Sequence, residues 1–229
     1  MAPRYAIYLA PSPDTPLWRA ASRVIGRDAV TGETLSFPDL SPCDAADWAE
    51  LTKEPRRYGF HGTLKAPFEC AEGSDEALLV EAARDFAARR HGFAIPDLSV
   101  RTMKSFVALT PDSRHPDLDG LAADCVTAFD RFRAPPTAAE RARRIASLTD
   151  PRHVASVDRW GYPWVFDDFR FHMTLTGPLP DDRREAIRDG LAAFLGDVAR
   201  PLPVDAICLF RQENRDAPFQ VLDRFPFAV

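Results

Sequence analysis

The chain has 229 residues, of which 45% are hydrophobic and 28% charged, and its formal net charge is −5. This composition is typical of a globular protein with a sizeable core and argues against a disordered chain. The net negative charge excludes broad electrostatic capture of nucleic acid, although a local site can still bind an anion.

Membrane insertion and disulfide chemistry are also disfavoured. No apolar run approaches the roughly 20 residues that span a bilayer, and the N-terminus lacks the core of a signal peptide. The four cysteines are scattered without C-x-x-C spacing, which argues against a disulfide framework and against a cysteine-based zinc site. We therefore expect a cytoplasmic protein that has no membrane association and no obligate protein partner.

Hydrophobic periodicity predicts a mixture of strands and helices in the first half of the chain. The predicted strands are residues 4–9, the segment around residue 61, and residues near 98–100 and 105–109. The predicted helices are residues 14–27, 43–53 and 74–90. We expect Ser74 to cap the last of these helices, because a hydroxyl before a periodic apolar run is typical of an N-cap.

The middle of the chain is predicted to be helical, and the rest follows the order of the first half. Helices are expected at residues 118–132, 137–148 and 149–158, with Thr149 capping the third. After them come a strand near residue 172, a helix at residues 181–195, and strands at 203–207 and 219–222. This matched order of elements indicates an internal duplication.

These patterns predict an α+β fold, because strands and helices mix without a regular βαβ alternation. We expect a duplicated, bilobal fold in which two antiparallel sheets line a central cleft and helices lie outside. The chain would form one bilobal domain. Its first half covers residues of about 1–110, a helical insertion about 115–165, and its second half about 166–229.

One phrase occurs twice and marks the candidate site. Residues 58–68 read YGFHGTLKAPF, and residues 169–179 read FRFHMTLTGPL. Because side chains alternate along a strand, His61, Thr63 and Lys65 are predicted to share one face, and His172 and Thr174 share a face in the second copy. A single copy is more typical of an ordinary half-exposed strand, but two copies in matched surroundings favour a functional role.

Two such strands facing each other across a cleft would bring two imidazoles to one ligand. Imidazole titrates near pH 6.5, so the pair can supply a general base and a general acid. Thr63 and Thr174 each add a hydroxyl donor suited to phosphoryl oxygens. Displacement at phosphorus needs these three contributions, and the paired histidines and threonines together provide them without a metal or another cofactor.

The two H-x-T-L phrases on strands resemble the 2H phosphoesterase superfamily. The extended forms of the phrase resemble a bacterial branch that is found with phosphonate-degradation genes. The resemblance implies a bilobal α+β fold and metal-free hydrolysis of 2′,3′-cyclic or related phosphodiesters. It also implies that His61 and His172 are catalytic and that Thr63 and Thr174 bind phosphate. The phosphonate context suggests a ribose cyclic phosphate as substrate, with an RNA end or nucleotide as a further candidate ligand.

Four further residues are candidates for substrate binding. Lys65 lies farther along the strand of His61 and could reach a distal part of the substrate, but a solvated lysine fits equally well. Tyr8, Lys104 and Arg211 are predicted to lie on strands that could line the cleft.

Two other functions fit parts of the pattern. A protein that binds nucleotides or RNA ends without catalysis could use the same cleft, but it would not need paired imidazoles. A metalloenzyme would need a third ligand beside the histidines. The nearest carboxylates are Asp167 and Asp168, and neither stands at ligand spacing. We therefore expect a metal-independent hydrolase of phosphodiesters.

Overall fold

The computed structural model describes residues 2–40 and 43–228. Within these ranges the chain forms nine strands: β1 (Arg4–Leu9), β2 (Gly62–Glu69), β3 (Phe93–Ile95), β4 (Leu98–Met103), β5 (Phe106–Pro111), β6 (Met173–Thr174), β7 (Leu202–Val204), β8 (Ala206–Gln212) and β9 (Phe219–Pro226).

Eight α-helices lie in the described part of the chain: α1 (Pro16–Ile25), α2 (Ala45–Leu51), α3 (Lys53–Tyr58), α4 (Glu76–Ala87), α5 (Pro116–Ala128), α6 (Ala138–Ile145), α7 (Pro151–Trp160) and α8 (Asp181–Leu195). Short 3-10 helices cover Asp130–Phe132, Phe166–Asp168 and Gly196–Ala199. Among these described helices, none combines the length and apolarity needed to cross a bilayer.

The larger sheet has seven antiparallel strands in the order β4-β5-β6-β2-β1-β8-β9. A smaller antiparallel sheet pairs β3 with β7. The predicted α+β class with two antiparallel sheets is therefore confirmed. The arrangement differs in one respect, since both histidine phrases belong to the larger sheet and the smaller sheet borders neither of the two main cavities. The reason is that β6 lies between β5 and β2 and joins their strands into one sheet.

The helix of each half of the chain packs against strands of the other half. The order β2-α4-β3-β4-β5 of the first half recurs as β6-α8-β7-β8-β9 in the second. Helix α4 packs against β8 and β9, whereas α8 packs against β4 and β5. Each helix thus covers the hairpin of the other half, and the core lies between these helices and the sheet.

Most predicted elements are present, and the differences lie at their ends. Helix α4 is capped by Asp75 rather than Ser74, because the Asp75 carboxylate accepts from Leu78 N. Helix α7 is likewise capped by Asp150, not Thr149. In both cases two adjacent residues could cap a helix, and composition alone does not choose between them. Helix α3 was not predicted, because its six residues are too few to show periodicity.

Candidate active site

The two histidine phrases meet side by side in the sheet. Strand β2 pairs with β6 in antiparallel orientation, with Gly62 opposite Met173. Continued by one residue in each direction, this register places His61 opposite Thr174 and Thr63 opposite His172, next to the paired residues. Directly opposed residues point to the same face of a sheet, with Cβ atoms about 4.5–5.5 Å apart. Each histidine therefore stands next to the threonine of the other phrase.

Both imidazoles are held in the same way. His61 Nδ1 lies 2.9 Å from the carbonyl oxygen of Gly59, and His172 Nδ1 lies 2.8 Å from that of Arg170. A carbonyl oxygen can only accept, so each Nδ1 carries the proton and donates it. The Nε2 atom is then left in each neutral ring as the nitrogen that can take up a proton.

Two glycines flank His61, and each is required by its surroundings. Gly59 has a φ of 78°, and a Cβ there would lie 2.4 Å from the Cβ of Ala29. A Cβ on Gly62 would lie 2.3 Å from the ring of Phe171. Gly59 thus permits the turn that aims its carbonyl at His61, and Gly62 permits the close approach of the two histidine strands.

His61 is packed tightly enough to change its titration. Its ring stacks on Tyr8, with centroids 3.8 Å apart and an interplanar angle of 21°. Burial lowers the pKa of His61 to about 4; the carbonyl of Gly59 acts in the opposite direction, and the nearby His172 lowers the pKa further. His61 is consequently neutral at neutral pH. Its Nε2 lies 3.3 Å from the hydroxyl of Thr63, which can donate to it.

Two neighbouring cavities open on this part of the sheet. The first, which we call the His61 cavity, has a volume of about 370 Å³ and is bordered by His61, Thr63 and Thr174. The second, the His172 cavity, has a volume of about 530 Å³ and is bordered by His172. They share wall residues, including Thr63 and Tyr162. One ligand could therefore contact both imidazoles.

Three of the four tyrosines of the chain border the His61 cavity, namely Tyr8, Tyr58 and Tyr162. Burial raises the pKa of Tyr8 and that of Tyr162, so both phenols stay protonated and can donate hydrogen bonds. Among the described residues, no lysine or arginine borders this cavity. Neutral hydroxyl groups therefore provide its donors.

Sequence reasoning identified Tyr8 but missed Tyr58 and Tyr162. Both stand in stretches that the sequence marks as unusual: Tyr58 begins the first histidine phrase, and Tyr162 lies in the aromatic run WGYPW at residues 160–164. The run and β2 are about a hundred residues apart in the sequence, so no local sequence pattern predicts that they line the same cavity.

The His172 cavity is mainly aromatic, and the helical middle of the chain supplies much of its wall. Trp160, Trp164 and Phe166 border it together with Phe106 of β5. Rings of this kind form a flat apolar wall suited to the organic part of a ligand. The segment predicted as an insertion thus contributes directly to the candidate site.

The sequence predicted that Lys65 shares the strand face of His61 and Thr63, and the structure contradicts this. Strand β1 sets Tyr8 opposite Thr63 and Ile7 opposite Lys65, so β2 carries one extra residue between them. Such a bulge interrupts the alternation of side chains. Lys65 borders the His172 cavity, but it is 3% exposed and its ammonium donates to Asp130, 3.2 Å away.

The other two cationic candidates also differ from the prediction. Lys104 lies in the turn between β4 and β5 rather than on a strand; it borders the His172 cavity, with its ammonium 5.7 Å from the ring centre of Trp164. Arg211 does lie on a strand, but opposite Tyr5, on the other face of β1 from Tyr8. It pairs with Glu76 and Glu213 and borders neither cavity.

The carboxylate nearest to the second phrase has another partner. Asp168 lies 3.3 Å from Nε2 of His153 and borders the His172 cavity. Among the described residues, no group of three or more His, Cys, Asp and Glu side chains is placed to hold a metal ion. The geometry thus brings together His61, Thr63, His172 and Thr174.

A comparison with models of protein families identifies the family of the chain. A model described as "Protein of unknown function (DUF1045)" matches residues 63–220, which is more than half of the chain. The chain belongs to this DUF1045 family. The matched region contains His172 and both threonines, and it begins two residues after His61.

A longer protein matches nearly all of this DUF1045 chain. The ribose 1,5-bisphosphate phosphokinase PhnN of Janthinobacterium sp. (strain Marseille) is 37% identical over 232 residues, which cover 98% of the chain and 51% of the relative. The chain spans about half the length of the curated relatives that it matches.

Two solved structures were also matched over the full length of the chain. One is a phosphoesterase, with a TM-score of 0.45 and 14% identity. The other is LigT of E. coli in complex with phosphate, with a TM-score of 0.44 and 15% identity. Each match covers 100% of both chains.

Proposed function

We propose that this DUF1045 protein is a metal-independent phosphoesterase that hydrolyses a small cyclic phosphodiester. The observation that carries the proposal is the pairing of Gly62 with Met173, because the register of this pair sets each histidine beside the threonine of the other phrase. Both Nδ1 atoms are fixed by carbonyl groups, so both Nε2 atoms are available for proton transfer to and from one ligand.

The surroundings of the two histidines suggest different roles. His61 is neutral at neutral pH because burial lowers its pKa, so its Nε2 is fit to take a proton from water. The oxygen of that water attacks phosphorus, and the bond from phosphorus to one ring oxygen breaks. His172, in its protonated form, gives a proton to the leaving oxygen. Water is consumed and a phosphomonoester is formed.

The remaining oxygens of the phosphoryl group need donors that do not move. Thr63 and Thr174 border the His61 cavity together with the phenols of Tyr8, Tyr58 and Tyr162. Hydroxyl donors of this kind can stabilise negative charge without bringing a mobile cation into the site. The aromatic wall of the His172 cavity would hold the sugar or base that carries the phosphate.

The phosphokinase name of the longer relative points to a different reaction. This chain contains no Gly-Lys dipeptide, and therefore no P-loop of the G-x-x-x-x-G-K-[ST] type. Because the chain corresponds to only about half of that relative, we assign hydrolysis rather than phosphoryl transfer to it. The name does indicate a phosphorylated ribose, which fits a ribose cyclic phosphate, and we assign the reaction to phosphonate metabolism on the resemblance of the phrases.

The test is hydrolysis of 2′,3′-cyclic AMP and of ribose 1,2-cyclic phosphate by the purified protein. His61→Ala and His172→Ala should each lower kcat by about 10²–10⁴, the usual contribution of one positioned acid or base. His91→Ala is the matched control, because His91 is exposed and distant in sequence from both phrases. Tight binding of these compounds without turnover by the wild-type protein would refute the enzyme and favour a binding protein.

A further inference from the structure

A separate polar pocket of about 60 Å³ lies among four arginines. They are Arg4 on β1, Arg133 after α5, Arg144 on α6 and Arg215 in the β8–β9 connection. We call this site the arginine pocket. Its volume is sufficient for several water molecules or for one phosphoryl group.

Two of the four guanidinium groups are neutralised by carboxylates. Arg215 donates to Glu69, 2.9 Å away, and to Glu140. Arg133 pairs with Asp130 at 2.8 Å. These contacts fix the two side chains and connect α6 to the edge of β2.

The other two guanidinium groups contact only neutral acceptors. Arg4 donates to the side-chain oxygen of Gln212, 2.7 Å away. Arg144 donates to the carbonyl oxygens of Gly161 and Pro67. Among the residues that the structure describes, neither Arg4 nor Arg144 forms an ion pair. The guanidinium groups of Arg4 and Arg144 therefore lack a paired carboxylate.

Like charges in this pocket act on each other. Burial lowers the pKa of Arg4, and Arg215 lowers it further. Burial also lowers the pKa of Arg144; Glu140 acts in the opposite direction, and Arg4 is among the neighbours that lower it. Holding half-buried like charges together is unfavourable unless an anion is bound between them.

The arginine pocket adjoins the His61 cavity. Pro67 borders both. Arg4 is close enough to Tyr8 to act on its titration, and Arg144 acts in the same way on Tyr162. Both tyrosines border the His61 cavity. The two sites therefore share part of their wall.

We propose that the arginine pocket binds a second phosphoryl group of the same substrate, so that the protein prefers a sugar cyclic phosphate that carries another phosphate. The inference rests on the proposed function and names its substrate class. Arginine suits this task because its planar fork of donors matches the oxygens of a phosphate. The tyrosines would hold the sugar between the two phosphates.

The test compares ribose 1,2-cyclic phosphate with the same compound phosphorylated at its 5-hydroxyl. Turnover is measured with the wild-type protein, and binding is measured by calorimetry with His172→Ala. We expect the second phosphate to raise kcat/KM and to tighten Kd by at least about tenfold, as one or two hydrogen bonds to a charged group would do.

The variants Arg4→Gln and Arg144→Gln should remove this preference, so that each variant turns over and binds the two compounds equally well. Arg144→Lys keeps the charge and should retain part of it, which a merely structural role would not explain. Arg143→Gln is the control, because Arg143 is exposed on the same helix. Thermal unfolding identifies any variant that fails to fold. If one of the two glutamine variants fails to fold, the result with the other one tests the proposal.

The outcomes separate the two proposals. Equal turnover and equal binding of both compounds would overturn the arginine pocket and leave the hydrolase intact. Tighter binding of the doubly phosphorylated compound, lost in the glutamine variants but without turnover by the wild type, would support the pocket and overturn the hydrolase. Failure of the protein to bind either compound would overturn both.

Discussion

The titration of His61 offers a sharp test of its role as base. Burial, including the stack on Tyr8, lowers its pKa to about 4, against about 6.5 for a free imidazole. The base must be neutral to accept a proton. At pH 5 a group of pKa about 4 is about nine-tenths neutral, whereas one of pKa 6.5 is only about 3% neutral. The two cases differ about thirtyfold in active enzyme.

The experiment measures kcat/KM for a cyclic phosphodiester between pH 4 and 8. We expect activity to persist at pH 5 and the acidic limb to lie near pH 4. Because coupled groups report macroscopic values, the Cε1 proton of His61 is titrated by NMR in parallel, with His61→Gln for assignment. An acidic limb and an NMR titration both near pH 6.5 would refute the reasoning.

The same pKa has a consequence for stability. Because the folded-state pKa lies below the unfolded value, the unfolded chain takes up protons first as the pH falls from 6.5 to about 4. The free energy of unfolding should therefore decrease through this window. The difference corresponds to at most about 3–4 kcal/mol, at about 1.4 kcal/mol for each pH unit. His61→Gln should lack this component in urea titrations at both ends of the window.

Three further predictions concern the paired strands. Thr63→Val and Thr174→Val should each weaken phosphate binding by about 1.5–3 kcal/mol, the usual loss of a hydrogen bond to a charged group. Each should lower turnover less than either histidine variant does. An unchanged KM and an unchanged inhibition constant for phosphate would contradict this prediction. Gly62→Ala should lower stability by about 1–3 kcal/mol through its clash with Phe171 and should lower kcat as well; full activity at unchanged thermal stability would show that the strands need not approach closely. Turnover should persist in excess chelator, because the histidines provide proton transfer, and a loss reversed by added zinc would favour the metalloenzyme.

The sequence predicted the parts of the site that are local. Alternation along two repeated phrases was enough to set each histidine on the face of its own threonine, and the mixture of strands and helices without a regular βαβ alternation indicated the α+β class. It could not predict the bulge at Leu64, since the extra residue looks like any other in an apolar strand. Lys65 was therefore assigned to the wrong face.

Long-range contacts account for the other differences. Tyr162 reaches the His61 cavity from a segment about a hundred residues beyond the first phrase. Arg211 was expected near the cleft because it lies on a strand, but its face is set by the register of β8 against β1. Neither the register nor the packing of the helical middle leaves a periodic signature in the sequence.

Strand β6 joins the two parts of the larger sheet. It is only two residues long, yet it is the sole connection in the described sheet between β5 and β2. The helix and hairpin of each half are packed on those of the other, so neither half retains its own covering when separated. A chain cut between the halves would expose the edges of β5 and β2, which invite aggregation. Because His172 directly precedes β6, the proposed reaction depends on the least extensive strand pairing of the sheet. Local opening at β6 would therefore abolish the proposed activity before the protein unfolds globally.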